Sequence, residues 1–169
     1  MMMLRFIAPL ILLLGACAPS VRGSSARDAL VVEPSQQIEM ERGNELYLRR
    51  DFSLSDFGLE RPDLAGSFWI PAGVDQESSN LATRFSFRNA RVPIRWSLEL
   101  AEVRAHRTTV TRYGRETGEI EYRISPVLRL RVPADAELGV TTVTGEIVAR
   151  GGDSRRVEIP VRVRAAASR

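Results

Sequence analysis

The stretch RVEIPVRVR, residues 156–164, decides the fold. Val157, Ile159, Val161 and Val163 alternate with Arg156, Glu158, Pro160, Arg162 and Arg164, so an extended chain puts the four aliphatics on one side and the charges on the other. A helix would scatter the same residues around its axis. The segment therefore reads as a strand with one buried and one wet face. The same period recurs upstream at Ile38 and Met40, Leu46 and Leu48, Phe85 and Phe87, at Ile94, Trp96, Leu98 and Leu100, at Ile120, Tyr122 and Ile124, and at Leu128, Leu130 and Val132.

Turn chemistry falls between these runs: Arg42-Gly43-Asn44, Pro71-Ala72-Gly73, Tyr113-Gly114, Thr117-Gly118 and Gly151-Gly152-Asp153. Antiparallel hairpins follow from that spacing. Residues 53–65, with Asp56, Gly58, Pro62 and Asp63, read as a loop holding one short helical turn. No segment sustains a 3.6-residue period with caps, and no tandem repeat is present. Nine or ten short strands, each with one apolar face, must bury those faces against one another, so the predicted fold is an all-β antiparallel sandwich of two packed sheets.

The 169 residues amount to one domain, 44% hydrophobic and 27% charged. Disorder, a collagen-like repeat and a disulfide-stapled miniprotein are excluded by that composition and by a single cysteine. Every basic residue is arginine, and the net charge of +3 is too small to imply nucleic-acid binding. Apolar residues crowd the start of the chain. Residues 1–5 carry a positive charge, residues 6–14 form an apolar run, and Gly15 and Ala16 are the small residues a signal peptidase accepts. The apolar run is about half the ~20 residues a spanning helix needs, and Pro9 interrupts it, so it reads as a secretory signal and not as a permanent anchor.

Leu14-Gly15-Ala16-Cys17 resembles the lipobox of bacterial lipoproteins. The resemblance implies cleavage between Ala16 and Cys17, diacylglyceryl transfer to the Cys17 thiol and acylation of its new amino group. A lone cysteine is more often a small buried hydrophobe. Here its place after a charged start and an apolar run, with no second cysteine for a disulfide, argues for the anchor. Several acyl chains on one residue would hold a protein on a membrane permanently. Ala18, where aspartate tends to retain lipoproteins at the inner membrane, favours the outer one. With the leader gone, Arg5 goes too, and the side-chain charge falls from +3 to +2.

Residues 18–28, APSVRGSSARD, read as a flexible tether reaching roughly 20 Å. A second resemblance begins beyond it. Val31-Val32-Glu33-Pro34, Ile38, Gly43, Ile70-Pro71-Ala72-Gly73-Val74, and Val132-Pro133-Ala134-Asp135-Ala136 before Gly139 resemble the bacterial immunoglobulin-like domains of surface proteins. That implies an immunoglobulin-like sandwich, although the Cys-Trp-Cys signature of antibody domains is absent. At about 135 residues the domain exceeds the usual ~100, leaving room for an extra hairpin around residues 104–121. The expected division is a removed leader (1–16), the lipidated cysteine and tether (17–29), the sandwich (30–165) and a disordered tail (166–169).

Groups able to do chemistry are few. His106 sits in Arg104-Ala105-His106-Arg107, whose charges oppose cation binding, and no cysteine completes a zinc set. G-x-S-x-G, H-E-x-x-H, P-loop and G-x-G-x-x-G motifs are absent, so no enzyme is predicted, no cofactor and no metal. Asp51, Asp56, Glu60 and Asp63 cluster without the spacing of a calcium loop and read as solvated acids near Arg49, Arg50 and Arg61. Phe85, Phe87 and Trp96 alternate as core residues do, leaving Phe68 and Trp69 as the pair of which one ring faces solvent.

Arg129 and Arg131 on one strand, and Arg162 and Arg164 on another, would form a basic stripe for an anionic glycan or lipid if those strands were neighbours. An ordinary wet face paired with glutamates is the commoner outcome. The expectation from sequence is thus a non-catalytic, lipid-anchored envelope protein. Its partners would be the membrane through the acyl anchor and either an envelope protein, in adhesion or scaffolding, or an anionic glycan. Nucleic acid is not among them.

Overall fold

Period-two alternation can bury a face only if strands find neighbours, and the computed structural model, which describes residues 23–59, 76–77 and 85–166, shows which strands these are. In chain order they are β1 (Leu30–Val31), β2 (Ile38–Glu41), β3 (Glu45–Arg49), β4 (Phe52–Ser53), β5 (Gln76–Glu77), β6 (Phe85–Arg91), β7 (Ser97–Arg112), β8 (Arg115–Arg131), β9 (Gly139–Ala149) and β10 (Ser154–Arg164). A single 3₁₀ turn, Leu54–Phe57, follows β4. One sheet runs β1-β3-β8-β7-β5, with β4 also on β8, and the other runs β2-β10-β9-β6. The fold is an all-β sandwich.

Taken by their longer strands, the layers are β3-β8-β7 against β10-β9-β6, the B-E-D and G-F-C order of immunoglobulin-type sandwiches. Pairing is antiparallel with two exceptions that hairpin reasoning does not foresee: β1 runs parallel to β3, and β2 parallel to β10. Both are short strands entering from the amino-terminal side. Pro160 sits one residue before β2 joins β10 at Val161 and Ile38, where that side of the strand has no ladder bond for a missing N–H to break.

The inner faces interdigitate in one core. Val157, Ile159, Val161 and Val163 of β10 and Val143 and Ile147 of β9 are buried, as are Leu48, Ile124, Leu128 and Leu130 of the other sheet. Gly145 belongs to this inner face because the Phe87 ring occupies the space where a Cβ would stand. One mouth of the sandwich is plugged by Phe57, fully buried, whose ring meets Phe52 at 5.5 Å and Phe85 at 5.3 Å, both edge-on. The turn carrying Phe57 is held at its start by Ser53 N–H donating to Asp56 Oδ2 at 2.8 Å. It is held at its end by the Asp153 N–H donating to the Phe57 carbonyl at 2.9 Å.

Three expectations change. The hairpin expected around residues 104–121 is the outer part of β7 and β8, which run on past their described neighbours, but Thr117-Gly118 lies inside β8 instead of turning the chain. Ile94 does not share the buried face of Trp96 and Leu98, since it stands in a turn before β7 begins and is 89% exposed. The tether is also shorter than the composition suggests. Gly23 is buried, its carbonyl accepts from Tyr47 N–H at 2.8 Å, and the Ala26 carbonyl accepts from Arg104 at 2.7 Å. Residues 23–28 thus belong to the fold.

Candidate functional site

Sheets position their loops at two ends, and the two ends of this sandwich differ. At one, here called the near end, lie the β2–β3 turn (42–44), the β6–β7 turn (92–96) and the β8–β9 connection (132–138). A Cβ on Gly43 would come within 3.7 Å of Ala134, and Arg95 pairs with Asp135. The chain makes the same reversal twice. In Val92-Pro93-Ile94-Arg95-Trp96 the Trp96 N–H donates to the Pro93 carbonyl at 3.1 Å, and in Val132-Pro133-Ala134-Asp135-Ala136 the Ala136 N–H donates to the Pro133 carbonyl at 3.1 Å. In each the proline opens the turn and supplies its accepting carbonyl, and Trp96 and Ala136 return the chain to the core.

Between and beside these turns opens a cleft of about 560 Å³ lined by Ile94, Trp96, Leu138, Val140 and the Arg95 and Asp135 pair. Its apolar rim faces outward: Ile94 is 89% exposed, Leu138 54% and Val140 55%. Turn positions are ordinarily polar or glycine. Arg95 is held at φ 66°, a conformation that costs a side chain with a Cβ. Sequence reasoning missed this surface because it counted Ile94 in a strand, although the repeated Val-Pro-x-x-x signal was there to be read.

At the far end the Gly151-Gly152 turn and the Phe57 plug close the sandwich, and the β7–β8 ribbon leaves it. Among the described residues, β4 accompanies β8 at Ile124 and Arg123 and β5 accompanies β7 at Ala105 and Arg104. Beyond that level β7 and β8 pair with each other from His106 and Arg123 out to Arg112 and Arg115. Six steps along β7 at about 3.3 Å make an arm of roughly 20 Å, and β8 fits nine residues into the same span through the register shift between Thr109 and Thr111. Its tip is Tyr113, fully exposed at φ 51°, followed by Gly114 at φ 76°. Arg112 and Arg115 flank the tip, and Arg112 pairs with Glu119 at 3.1 Å.

The four arginines do not form one stripe. Arg129 and Arg131 are on β8 and Arg162 and Arg164 on β10, strands of different sheets, so the two pairs face opposite sides of the molecule. Glutamates neutralise most of them: Arg129 meets Glu99 at 2.6 Å, Arg131 meets Glu45, and Arg164 meets Glu39. The Arg131 guanidinium holds the Glu45 carboxyl below its usual range, and the hydrogen bond to Glu99 raises the Arg129 value. Arg162 stands opposite Glu39 on β2 in the same parallel register.

Asp51 and Asp56 are occupied structurally. Asp51 accepts from Ser125 Oγ at 2.7 Å and pairs with Arg49 at 3.2 Å, while Asp56 holds the 3₁₀ turn. Both border a second cleft, of about 430 Å³, with Arg50, Arg123, Arg155 and Arg156. Arg123 and Arg156 there already have Glu121 and Glu158 as partners. Among the described residues no three His, Cys, Asp or Glu side chains gather as a metal site.

His106 pairs through its backbone with Arg123, and its side chain is outside the described part. Phe85 and Trp96 are buried, and Phe87 packs against the core. Ala16, Cys17, Ala18, Glu60, Asp63, Phe68, Trp69 and the Pro71-Ala72-Gly73 turn lie outside the described residues. Set beside protein-family models, curated proteins and solved structures, the chain matches none.

Proposed function

We propose that this chain is a lipid-anchored protein of the bacterial envelope, held through Cys17 and acting without catalysis as a binding or structural module for an envelope protein. The carrying observation is the β7–β8 arm, an extension that among the described residues runs beyond the other strands of its sheet and ends in an exposed tyrosine between two arginines. Tyrosine and arginine are the residues that recur at the centres of protein interfaces, and a ribbon offers backbone edges for strand addition. A two-stranded ribbon has little stability of its own, so a contact that orders it is a natural use. The leader, with Leu14-Gly15-Ala16-Cys17, supports export and anchoring, and Ala18 supports the outer membrane. An anionic glycan or lipid has less support, because Arg129, Arg131, Arg162 and Arg164 are split between the two faces.

The test is site-specific photocrosslinking in intact cells from a benzophenone placed at Tyr113, with Glu158 on the outer face of β10 as the comparison site. The proposal expects a discrete protein adduct from position 113 and none from position 158. Adducts with lipid alone, or equal adducts from both positions, would refute it.

A further inference from the structure

We infer that the near end of the sandwich is a lipid-contacting surface, with Ile94, Leu138 and Val140 resting against the bilayer that holds the anchor. The inference rests on the anchored reading of Cys17 and adds to it an orientation. Its first support is chemical. Three large aliphatic side chains, exposed at 89%, 54% and 55%, rim one cleft; of the charges beside them Arg95 and Asp135 pair with each other, and Glu137, also exposed, is the one acid left at the rim for a headgroup-level position. The two flanks of the sandwich carry hydrated ion pairs instead, Arg129 with Glu99 on one and Arg164 with Glu39 on the other.

Reach supplies the second support. Gly23 is docked beside Tyr47, and Cys17 precedes it by six residues, which span at most about 21 Å when fully extended. Tyr47 is three residues from Asn44 in the near-end turn, or about 10 Å at strand rise. The near end is therefore within reach of a lipid attached at Cys17. The far-end turn is not: from its near end at Arg164 to Ser154 β10 takes ten steps, about 33 Å, which leaves roughly 23 Å beyond the level of Tyr47. The arm tip is farther still, because β7 runs 15 steps, about 50 Å, away from the near end. A short chain thus holds the apolar end against lipid and aims Tyr113 away from it. A second copy of the chain offers no comparable argument from length.

Depth-dependent quenching tests this on the acylated full-length protein in phosphatidylethanolamine and phosphatidylglycerol vesicles carrying a shallow lipid-borne quencher. Acylation consumes the Cys17 thiol, so Ile94→Cys, Leu138→Cys and Tyr113→Cys each offer one thiol for an environment-sensitive dye. Expected are a blue shift and loss of emission at 94 and at 138, unchanged at high salt because the contact is apolar, and neither effect at 113. Protein that is acylated and floats with the vesicles but shows no quenching at 94 and 138 overturns this inference and leaves the anchor standing. Quenching at 113 alone overturns it too, as does a shift at 94 that vanishes when the protein is diluted in lipid, the mark of self-association. Protein carrying no acyl group overturns both the inference and the reading beneath it.

Discussion

The near and far ends of the sandwich solve one problem, closing a barrel-like mouth between two sheets, with opposite chemistry. At the far end an aromatic is drawn inward: Phe57 is fully buried against Phe52 and Phe85, and the chain outside it is glycine and aspartate. At the near end two proline turns close the mouth with Trp96 and Ala136 and leave Ile94 and Leu138 outside. Stability explains the first arrangement. It does not explain the second, for an exposed isoleucine in a turn adds nothing to folding, and that contrast is what points to a surface in contact with something apolar.

Truncation separates the ends most sharply. Phe57→Ala should lower unfolding free energy by about 3–5 kcal/mol, from a lost ring and the cavity behind it, whereas Ile94→Ala should change it by no more than ~0.5 kcal/mol. Urea midpoints at constant m-value measure both. Comparable losses from the two would show that Ile94 is packed in solution and would remove the contrast. Between the ends lies shared core, and Gly145→Ala probes it: a methyl in the place held by the Phe87 ring should cost about 1–3 kcal/mol by overpacking. A neutral result would mean that β6 moves freely over β9.

A smaller change sharpens the near end. Arg95→Gly releases a side chain from φ 66° and gives up only a surface pair with Asp135, so a net stabilisation of up to about 1 kcal/mol is expected from thermal melts. Destabilisation would show that the ion pair, and not proline, holds the two turns together. The smallest effect is electrostatic. Arg131 depresses the folded-state value of Glu45, so the pair's contribution is present above the ordinary value near 4.5 and fades as pH falls through the lower folded one. Glu45→Gln should flatten the acid limb of stability, lowering unfolding free energy at neutral pH by less than ~1 kcal/mol and leaving it unchanged below the folded value.

Much of the fold was legible. Residues 157–163 alternate without interruption and are buried in the pattern read from them, as are Leu48 and the run from Leu128 to Val132, with Leu46 half-buried against the same core. The β9 face was harder to see, because Gly145 and Ala149 take inward positions while carrying little hydrophobic signal. Parity in β7 slips at the register shift between Leu100 and Glu102, which sends Val103 and Ala105 to the inner face and Arg104 to the other, where it is buried under residues 23–28, and a period-two reading has no means of placing such a bulge. Pairing between distant strands was invisible for a plainer reason: it depends on which sheet each strand joins. Arg129 and Arg162 look equivalent in sequence and end on opposite faces. The exposed rim of Ile94, Leu138 and Val140 escaped notice because it is assembled from a turn, a connection and the first residues of β9, far apart in sequence.

Orientation, arm and near end all depend on one covalent feature, and mass spectrometry of the mature amino terminus from detergent-phase extracts tests it most directly. The account predicts a first residue of Cys17 carrying diacylglycerol and an amide-linked acyl chain. An amino-terminal peptide beginning at Met1, or a Cys17 without lipid, would contradict it.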